Sequence, residues 1–156
     1  MRVEHERKFL IKKLPEDFEY TDKIEMEQCY LNKKSDSIEI RIRKYVDNRC
    51  YFDLKQDGDI DRCEIFSRKI TTNEYDELKK SAKSILSKTR YKKYSYLLSI
   101  FFDVFHESDL ILCEVESTNP ENNWIVDEYI PENWFEREVT GENEYKNRNI
   151  AKDEKR

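Results

Sequence analysis

Glycine and proline are scarce in this chain, with two Gly and three Pro among 156 residues. So few breakers, and no low-complexity stretch or internal repeat, count against a disordered polymer. Histidine is limited to His5 and His106, and the four cysteines, Cys29, Cys50, Cys63 and Cys113, are scattered without a CxxC pair. A zinc knot needs closer spacing and more imidazoles, so reduced structural thiols are expected. No run approaches the roughly 20 apolar residues of a membrane span, and Met1-Arg2-Val3-Glu4 turns charged too early for a signal peptide. A cytoplasmic protein is expected. The two glycines, Gly58 and Gly141, lie far apart, so there is no phosphate-binding P-loop. The 29 Lys and Arg against 34 Asp and Glu leave a net charge of -5, which gives no general attraction to nucleic acid or to an anionic membrane.

What the chain does have is charge and aromatic surface. Charged residues make up 40% and hydrophobic residues 37%, with a mean hydropathy of -0.99. Those averages lean toward disorder, but ten Tyr, eight Phe and two Trp supply area to offset ordering entropy. The length fits one domain over residues 1–156, with a charged tail expected to fray from about 152.

The charges are arranged with a period of two. Side chains at i, i+2 and i+4 of a strand share a face, so Glu4, Glu6 and Lys8 point together and His5 points to the opposite, outer face. Ile38-Glu39-Ile40-Arg41-Ile42-Arg43 alternates fully, and its β-branched isoleucines favour a strand. Tyr51 to Lys55 sets Asp53 and Lys55 opposite Phe52 and Leu54, and Arg62 to Ile65 sets Arg62 and Glu64 opposite Cys63 and Ile65. Gln56-Asp57-Gly58-Asp59 between them reads as a hairpin turn. Lys88-Thr89-Arg90 pairs two bases, Phe101 to Phe105 offers Asp103, and Leu112 to Glu116 pairs Glu114 with Glu116. An ordinary half-exposed sheet explains any one of these strands but explains the sorting of the charges poorly. A mainly antiparallel α+β fold closed into a barrel, charged faces inward and helices outside, gathers them all. A helix is expected from Thr72 through Ala82, Ile85 and Leu86, opened by a cap and first-turn acids. Weaker ones are expected from about Pro120 toward Tyr129 and from Glu142 to Lys152, and residues 14–27 read as a loop or short helix. Trp124 and Trp134 read as packing aromatics.

An interior lined by so many ionisable groups is no dry core, because each unpaired buried charge costs several kcal/mol. It must hold water, ions or a ligand. Converging bases are best relieved by a compact polyanion gripped by arginine forks and lysine point charges. Clustered carboxylates are best relieved by a hard cation, Mg²⁺ or Mn²⁺. A metal-dependent site for a triphosphate-like small molecule follows.

At these residues the chain resembles a known family. Glu4-His5-Glu6-Arg7-Lys8 is similar to the ExExK signature of the CYTH proteins, or triphosphate tunnel metalloenzymes. The likeness runs in order through Gln28-Cys29-Tyr30-Leu31, Ile40 to Arg43, Leu54-Lys55, Arg62-Cys63-Glu64, Lys88 to Tyr91, Phe102 to Phe105, Glu114 to Glu116, Val139-Thr140 and Tyr145-Lys146-Asn147. The resemblance implies an eight-stranded antiparallel β-barrel tunnel that binds triphosphate through its bases and divalent metal through its acids. Many small bacterial members hydrolyse inorganic triphosphate. Two departures stand out. Phe66 occupies a position where many relatives carry a second acid, which removes a potential metal or water ligand. Only three residues precede Glu4, where cyclase members carry a segment that encloses the nucleotide, and this favours a hydrolase.

The expected roles follow charge and position. Lys8, Arg41, Arg43, Lys55, Arg62, Lys88 and Arg90 are the candidate substrate ligands, and Glu4, Glu6, Glu64, Asp103, Glu114 and Glu116 the candidate metal ligands. Asp53 and Glu39 are expected to orient the bases. Lys8, assisted by Tyr30, is the candidate for orienting or deprotonating an attacking water if nearby cations depress its pKa; each residue otherwise binds phosphate or packs. The competing readings are an adenylate cyclase, a thiamine or nucleoside triphosphatase, and a polyphosphate-binding module without turnover. A homodimer remains open.

Overall fold

A computed structural model describes residues 2–57, 61–95, 97–117, 119, 121 and 131–155. Its strands are β1 (Arg2–Ile11), β2 (Asp22–Tyr30), β3 (Ile38–Tyr45), β4 (Cys50–Asp57), β5 (Asp61–Ile70), β6 (Ser84–Tyr94), β7 (Ser99–Phe105), β8 (Ile111–Ser117), β9 (Arg137–Glu138) and β10 (Lys152–Asp153). The order β6-β2-β3-β4-β5-β1-β8-β7 returns to β6 through a further β6–β7 pairing, so strands β1 to β8 form a closed ring. All of its pairings are antiparallel. Closure leaves no bare edge among these strands, and inward residues alternate with outward ones along each strand.

The apolar residues lie mostly outside the charged lumen. Cys29, Ile42, Cys50 and Ile70 pack beneath Tyr75 of helix α1 (Thr72–Lys79). Phe9, Ile11, Phe102, Cys113 and Val115 pack beneath Phe18, with Trp134 and Phe135 over them, so Trp134 is the packing aromatic expected. A third cluster sits inside one end of the barrel, where Tyr30, Leu86, Phe105 and Leu112 meet Val139 and Ala151 of the C-terminal segment. That end is closed.

Several local expectations change. Helix α1 is secured by a capping box between Thr71 and Glu74 but ends at Lys79, because Ile85 and Leu86 are taken into β6 by its pairing with β2. The stretch expected as loop or short helix over 14–27 already enters β2 at Asp22. The helix expected from Glu142 to Lys152 is broken into a 3₁₀ turn (Asn143–Tyr145) and the single-turn α2 (Asn147–Ile150). The Tyr145 carbonyl there accepts from Lys8 Nζ at 2.9 Å rather than from a helical amide. The tail does not fray at 152: β10 pairs with Ser84 and Ile85, and the Glu154 amide donates to the Lys83 carbonyl. Trp124 and most of the helix expected near 120–129 lie outside the described residues, as do Gly58 and Asp59 of the hairpin turn, although β4 and β5 on either side pair as a hairpin.

One irregularity re-aims a strand. The β4–β5 register pairs Leu54 with Phe66 but Lys55 with Glu64, leaving Ile65 as an extra residue. The bulge reverses which face the residues beyond it occupy. Phe66 is therefore 45% exposed on the outside, edge-on to Phe52, while Ser67 points inward to donate to Asp53 at 2.7 Å. The expectation that Phe66 removes a ligand from the lumen is corrected, since its side chain is not there.

Urea denaturation tests this account of α1. Tyr75→Ala is expected to cost about 3–5 kcal/mol by emptying the helix–barrel cluster, and Thr71→Ala about 1 kcal/mol by removing the cap. Equal costs for the two would contradict it.

Candidate active site

The lumen collects the inward faces of all the strands in the ring. On β1, Glu4, Glu6 and Lys8 are buried in a row, as are Glu39 and Arg41 on β3, Asp53 and Lys55 on β4, Lys88 on β6, Asp103 on β7 and Glu114 on β8. Among the predicted residues, each base has an acid. Lys55 donates to Glu4 at 3.1 Å, and Arg62 donates to Asp57 at 2.7 Å and Glu39 at 3.1 Å. Asp53 accepts from Arg41 at 3.0 Å and from two nitrogens of Arg43 at 2.6 and 3.2 Å. Asp103 accepts from Lys88 at 2.7 Å and from two nitrogens of Arg90 at 2.7 and 2.8 Å, and Arg90 also reaches Glu114 at 3.0 Å.

This pairing divides the six predicted metal ligands. Glu6, Glu114 and Glu116 each offer an oxygen, all within 4.8 Å of one another. Glu4 and Asp103 are instead occupied by Lys55, Lys88 and Arg90, because oppositely charged groups stripped of water are stable only as close pairs. Glu64 stands beside Lys55 across the β4–β5 ladder, outside the three-carboxylate group. Two members of that group release their protons weakly: burial, then the charges of Glu6 and Glu114, raise Glu116 to about 7. Glu6 is raised by burial and by Glu114. Glu114 goes the other way; burial opposes its ionisation, but Lys8, Arg90 and Lys88 hold it well below the usual carboxylate range. Three clustered carboxyl groups, two reluctant to ionise together, have the chemistry of a hard divalent-cation site.

Lys8 faces acids rather than cations. Its Nζ lies 3.6 Å from Glu6 and 3.5 Å from Glu114, and these charges outweigh burial to raise its pKa. Glu6 and Glu114, members of the carboxylate cluster, are thus the charged groups nearest the Lys8 ammonium. Tyr30 shares no hydrogen bond with Lys8 among the described residues; its hydroxyl donates to Gln28 at 3.0 Å. Burial, with Glu39 nearby, holds the phenol strongly protonated. His5 bonds to Asp61, away from the carboxylate cluster. Lys88, fully buried, is lowered by burial to about 8 despite Asp103. Lys55 is lowered too, by burial and then by the Arg41 and Arg62 charges.

The C-terminal segment completes the closed end. Thr140 accepts from the Lys8 amide at 3.0 Å, and Asn147 accepts from Lys88 Nζ at 3.3 Å. Lys146 and Arg148 approach Asp57 at 3.8 Å. A cavity of about 40 Å³ remains there, lined by Glu6, Lys8, Glu39, Asp57 and Arg62 from the wall and Lys146 and Asn147 from the segment. It is polar and has room for water. Neither Asp57 nor Arg148 was among the residues predicted for the site. Asp57 was legible as the next inward position after Asp53 and Lys55, but nothing in the sequence around Arg148 signals that it folds back across the barrel end.

A closed antiparallel barrel with ion pairs in place of an oily core, and a carboxylate cluster set among bases, defines the class: a β-barrel whose lumen is lined by charged groups of both signs. The chain belongs to the inorganic triphosphatase family. The inorganic triphosphatase of Nitrosomonas europaea is 32% identical over 153 residues, 96% of this chain and 97% of that protein. A crystal structure of an inorganic triphosphatase matches with a TM-score of 0.67 at 31% identity, over 97% of this chain and 95% of that one. A Pyrococcus horikoshii protein, 21% identical, shares the fold with a TM-score of 0.66 over 88% of this chain and 93% of its own. No family model matches the chain.

Asp53 tests the ion-pair account. Its pKa is depressed because Arg41 and Arg43, with the Ser67 hydroxyl, outweigh burial. A lowered folded pKa contributes stability that is complete above the unfolded carboxyl value, about 4, and is lost as pH falls through the folded value. Asp53→Asn is expected to lose about 3 kcal/mol at pH 7, as for a broken buried pair, with the gap to wild type narrowing below about pH 4. A gap independent of pH in urea titrations would contradict the assignment.

Proposed function

We propose that this protein hydrolyses inorganic triphosphate to pyrophosphate and phosphate, with Mg²⁺ or Mn²⁺, as a member of the CYTH, or triphosphate tunnel, group. The observation that carries the reading is the gathering of Arg41, Arg43, Lys55, Arg62, Lys88 and Arg90 into one lumen with the Glu6, Glu114 and Glu116 cluster. The likeness to the Nitrosomonas europaea enzyme along nearly the whole chain supports it. Four free cysteines fit a reducing, cytoplasmic setting.

Phosphoryl transfer depends mostly on positioning and charge neutralisation. The bases bind and orient the phosphates through the N–H groups that their carboxylate partners leave free. Asp53 and Glu39 keep Arg41, Arg43 and Arg62 aimed inward as they do so. Glu6, Glu114 and Glu116 hold the divalent cation, with Glu64 nearby. The cation, when bound, neutralises phosphate charge and lowers the pKa of water. Lys8, held by Glu6, Glu114 and the Tyr145 carbonyl, is placed beside the cation site to orient the attacking water. The apolar wall of Tyr30, Leu86, Phe105 and Leu112 excludes bulk water at the closed end.

Phosphate release from triphosphate is the direct test: activity requires added Mg²⁺ or Mn²⁺, disappears in EDTA, and is accompanied by pyrophosphate. Triphosphate left intact across neutral to alkaline pH with either metal overturns the proposal, and cyclic AMP formed from ATP would replace it with the cyclase reading. Glu116→Gln is expected to lower kcat by roughly 10²-fold or more and to raise the metal concentration for half activity. Unchanged metal dependence would remove Glu116 from the cation site.

A further inference from the structure

Four of the candidate phosphate ligands are arginines, and three of them are held by two acids each. Arg41 meets Asp53 and Glu39, Arg62 meets Asp57 and Glu39, and Arg90 meets Asp103 and Glu114. Arg43 has only Asp53 among the described residues, and it shares that acid with Arg41. Its side chain is also the most open of the four, 19% exposed against 6% for Arg41 and 16% for Arg62 and Arg90.

A phenol stands where the second acid would be. Arg43 Nη1 donates to the Tyr45 hydroxyl at 2.8 Å, and the guanidinium lies over the Tyr45 ring at 5.8 Å and the Tyr51 ring at 5.3 Å. The two rings meet edge-on at 5.9 Å and form a corner around it. Tyr45 is fixed in turn by the tight connection between β3 and β4. Asn48 there is left-handed, with φ of 69°, and its amide donates to the Tyr45 carbonyl at 2.9 Å. Asp47 accepts from the amide of Arg49 at 3.1 Å and from its Nε at 2.7 Å, and the Arg49 guanidinium sits over the Tyr45 ring at 4.9 Å. The contacts therefore run unbroken from the turn through Arg49 and Tyr45 to Arg43.

An uncharged hydroxyl fixes a guanidinium without cancelling its charge. A second carboxylate would fix it equally well but would repel an incoming phosphate. The donors of Arg43 divide accordingly. Nε and one N–H of Nη2 go to Asp53 and one N–H of Nη1 goes to Tyr45, which leaves one N–H on each terminal nitrogen. Such a pair grips two oxygens of one phosphate. Holding it in a set plane removes side-chain freedom that binding would otherwise have to freeze.

We propose that Tyr45 is a positioning residue that aims Arg43 at the phosphate chain. This rests on the triphosphate reading above and assigns a further residue to it. The test is calorimetric titration of the intact protein with inorganic triphosphate in EDTA, without turnover. Tyr45→Phe keeps the ring and loses only the hydroxyl, and it is expected to weaken binding roughly fivefold, the worth of about one hydrogen bond. Tyr91→Phe takes a hydroxyl from a tyrosine packed on the outer wall, and it is expected to change the affinity less than about twofold. The deciding readout is a double-mutant cycle: on an Arg43→Met background, Tyr45→Phe is expected to cost less than about twofold more, because the residue it acts through is gone. Should Arg43→Met not fold, Arg43→Lys, which keeps the charge but lacks a second terminal nitrogen, takes its place in the cycle. Unchanged affinity in Tyr45→Phe, the full fivefold loss persisting without Arg43, or the same loss in Tyr91→Phe overturns the role. Absence of triphosphate binding by the wild type overturns it too. Triphosphate hydrolysis with Mg²⁺, measured separately on the wild type, shows whether the underlying reading stands when the positioning role does not.

Discussion

Everything in this barrel depends on neutralising charge in a space from which most water is excluded. A buried ammonium or carboxylate left alone costs several kcal/mol, so the lumen is stable only because its acids and bases meet in close pairs. Asp53 holds Arg41 and Arg43, Asp103 holds Lys88 and Arg90, and Glu4 holds Lys55. The same requirement makes the lumen a binding site. A phosphate chain offers the bases oxygens of the right charge, a divalent cation offers the carboxylates a counter-charge, and neither leaves a group stranded.

The architecture supplies what the pairs need. Apolar residues on the outer faces pack under α1 and under Phe18, Trp134 and Phe135, so the barrel is held from outside and its interior is free for polar work. The bulge at Ile65 serves the same division. By reversing the alternation it sends Phe66 out and turns Ser67 in against Asp53. The C-terminal segment closes one end with carbonyl and amide oxygens aimed at Lys8 and Lys88, adding acceptors for ammonium groups that the acids of the wall leave partly unsatisfied.

Much of the site was legible because strand periodicity is a strict rule. Glu4, Glu6 and Lys8, or Arg41 and Arg43, share a face in any strand, and the burial follows that reading. The failures came where a local rule met a tertiary contact. Ile85 and Leu86 match a helical spacing from Thr72 yet pair in β6. The 142–152 stretch has the composition of a helix but spends the Tyr145 carbonyl on Lys8. Phe66 was read without the bulge that displaces it, since an extra residue leaves no mark in the alternation until the partner strand is known.

The amino-acid sequence by itself determined which residues share a face, and therefore that acids and bases would be concentrated together, because side-chain alternation is a property of the single strand. Only the tertiary structure decided which acid meets which base. Pairing depends on the register and curvature of strands far apart in the chain, and that geometry sets Glu6, Glu114 and Glu116 together, gives Asp103 to Lys88 and Arg90, and brings Lys8 against Glu6 and Glu114.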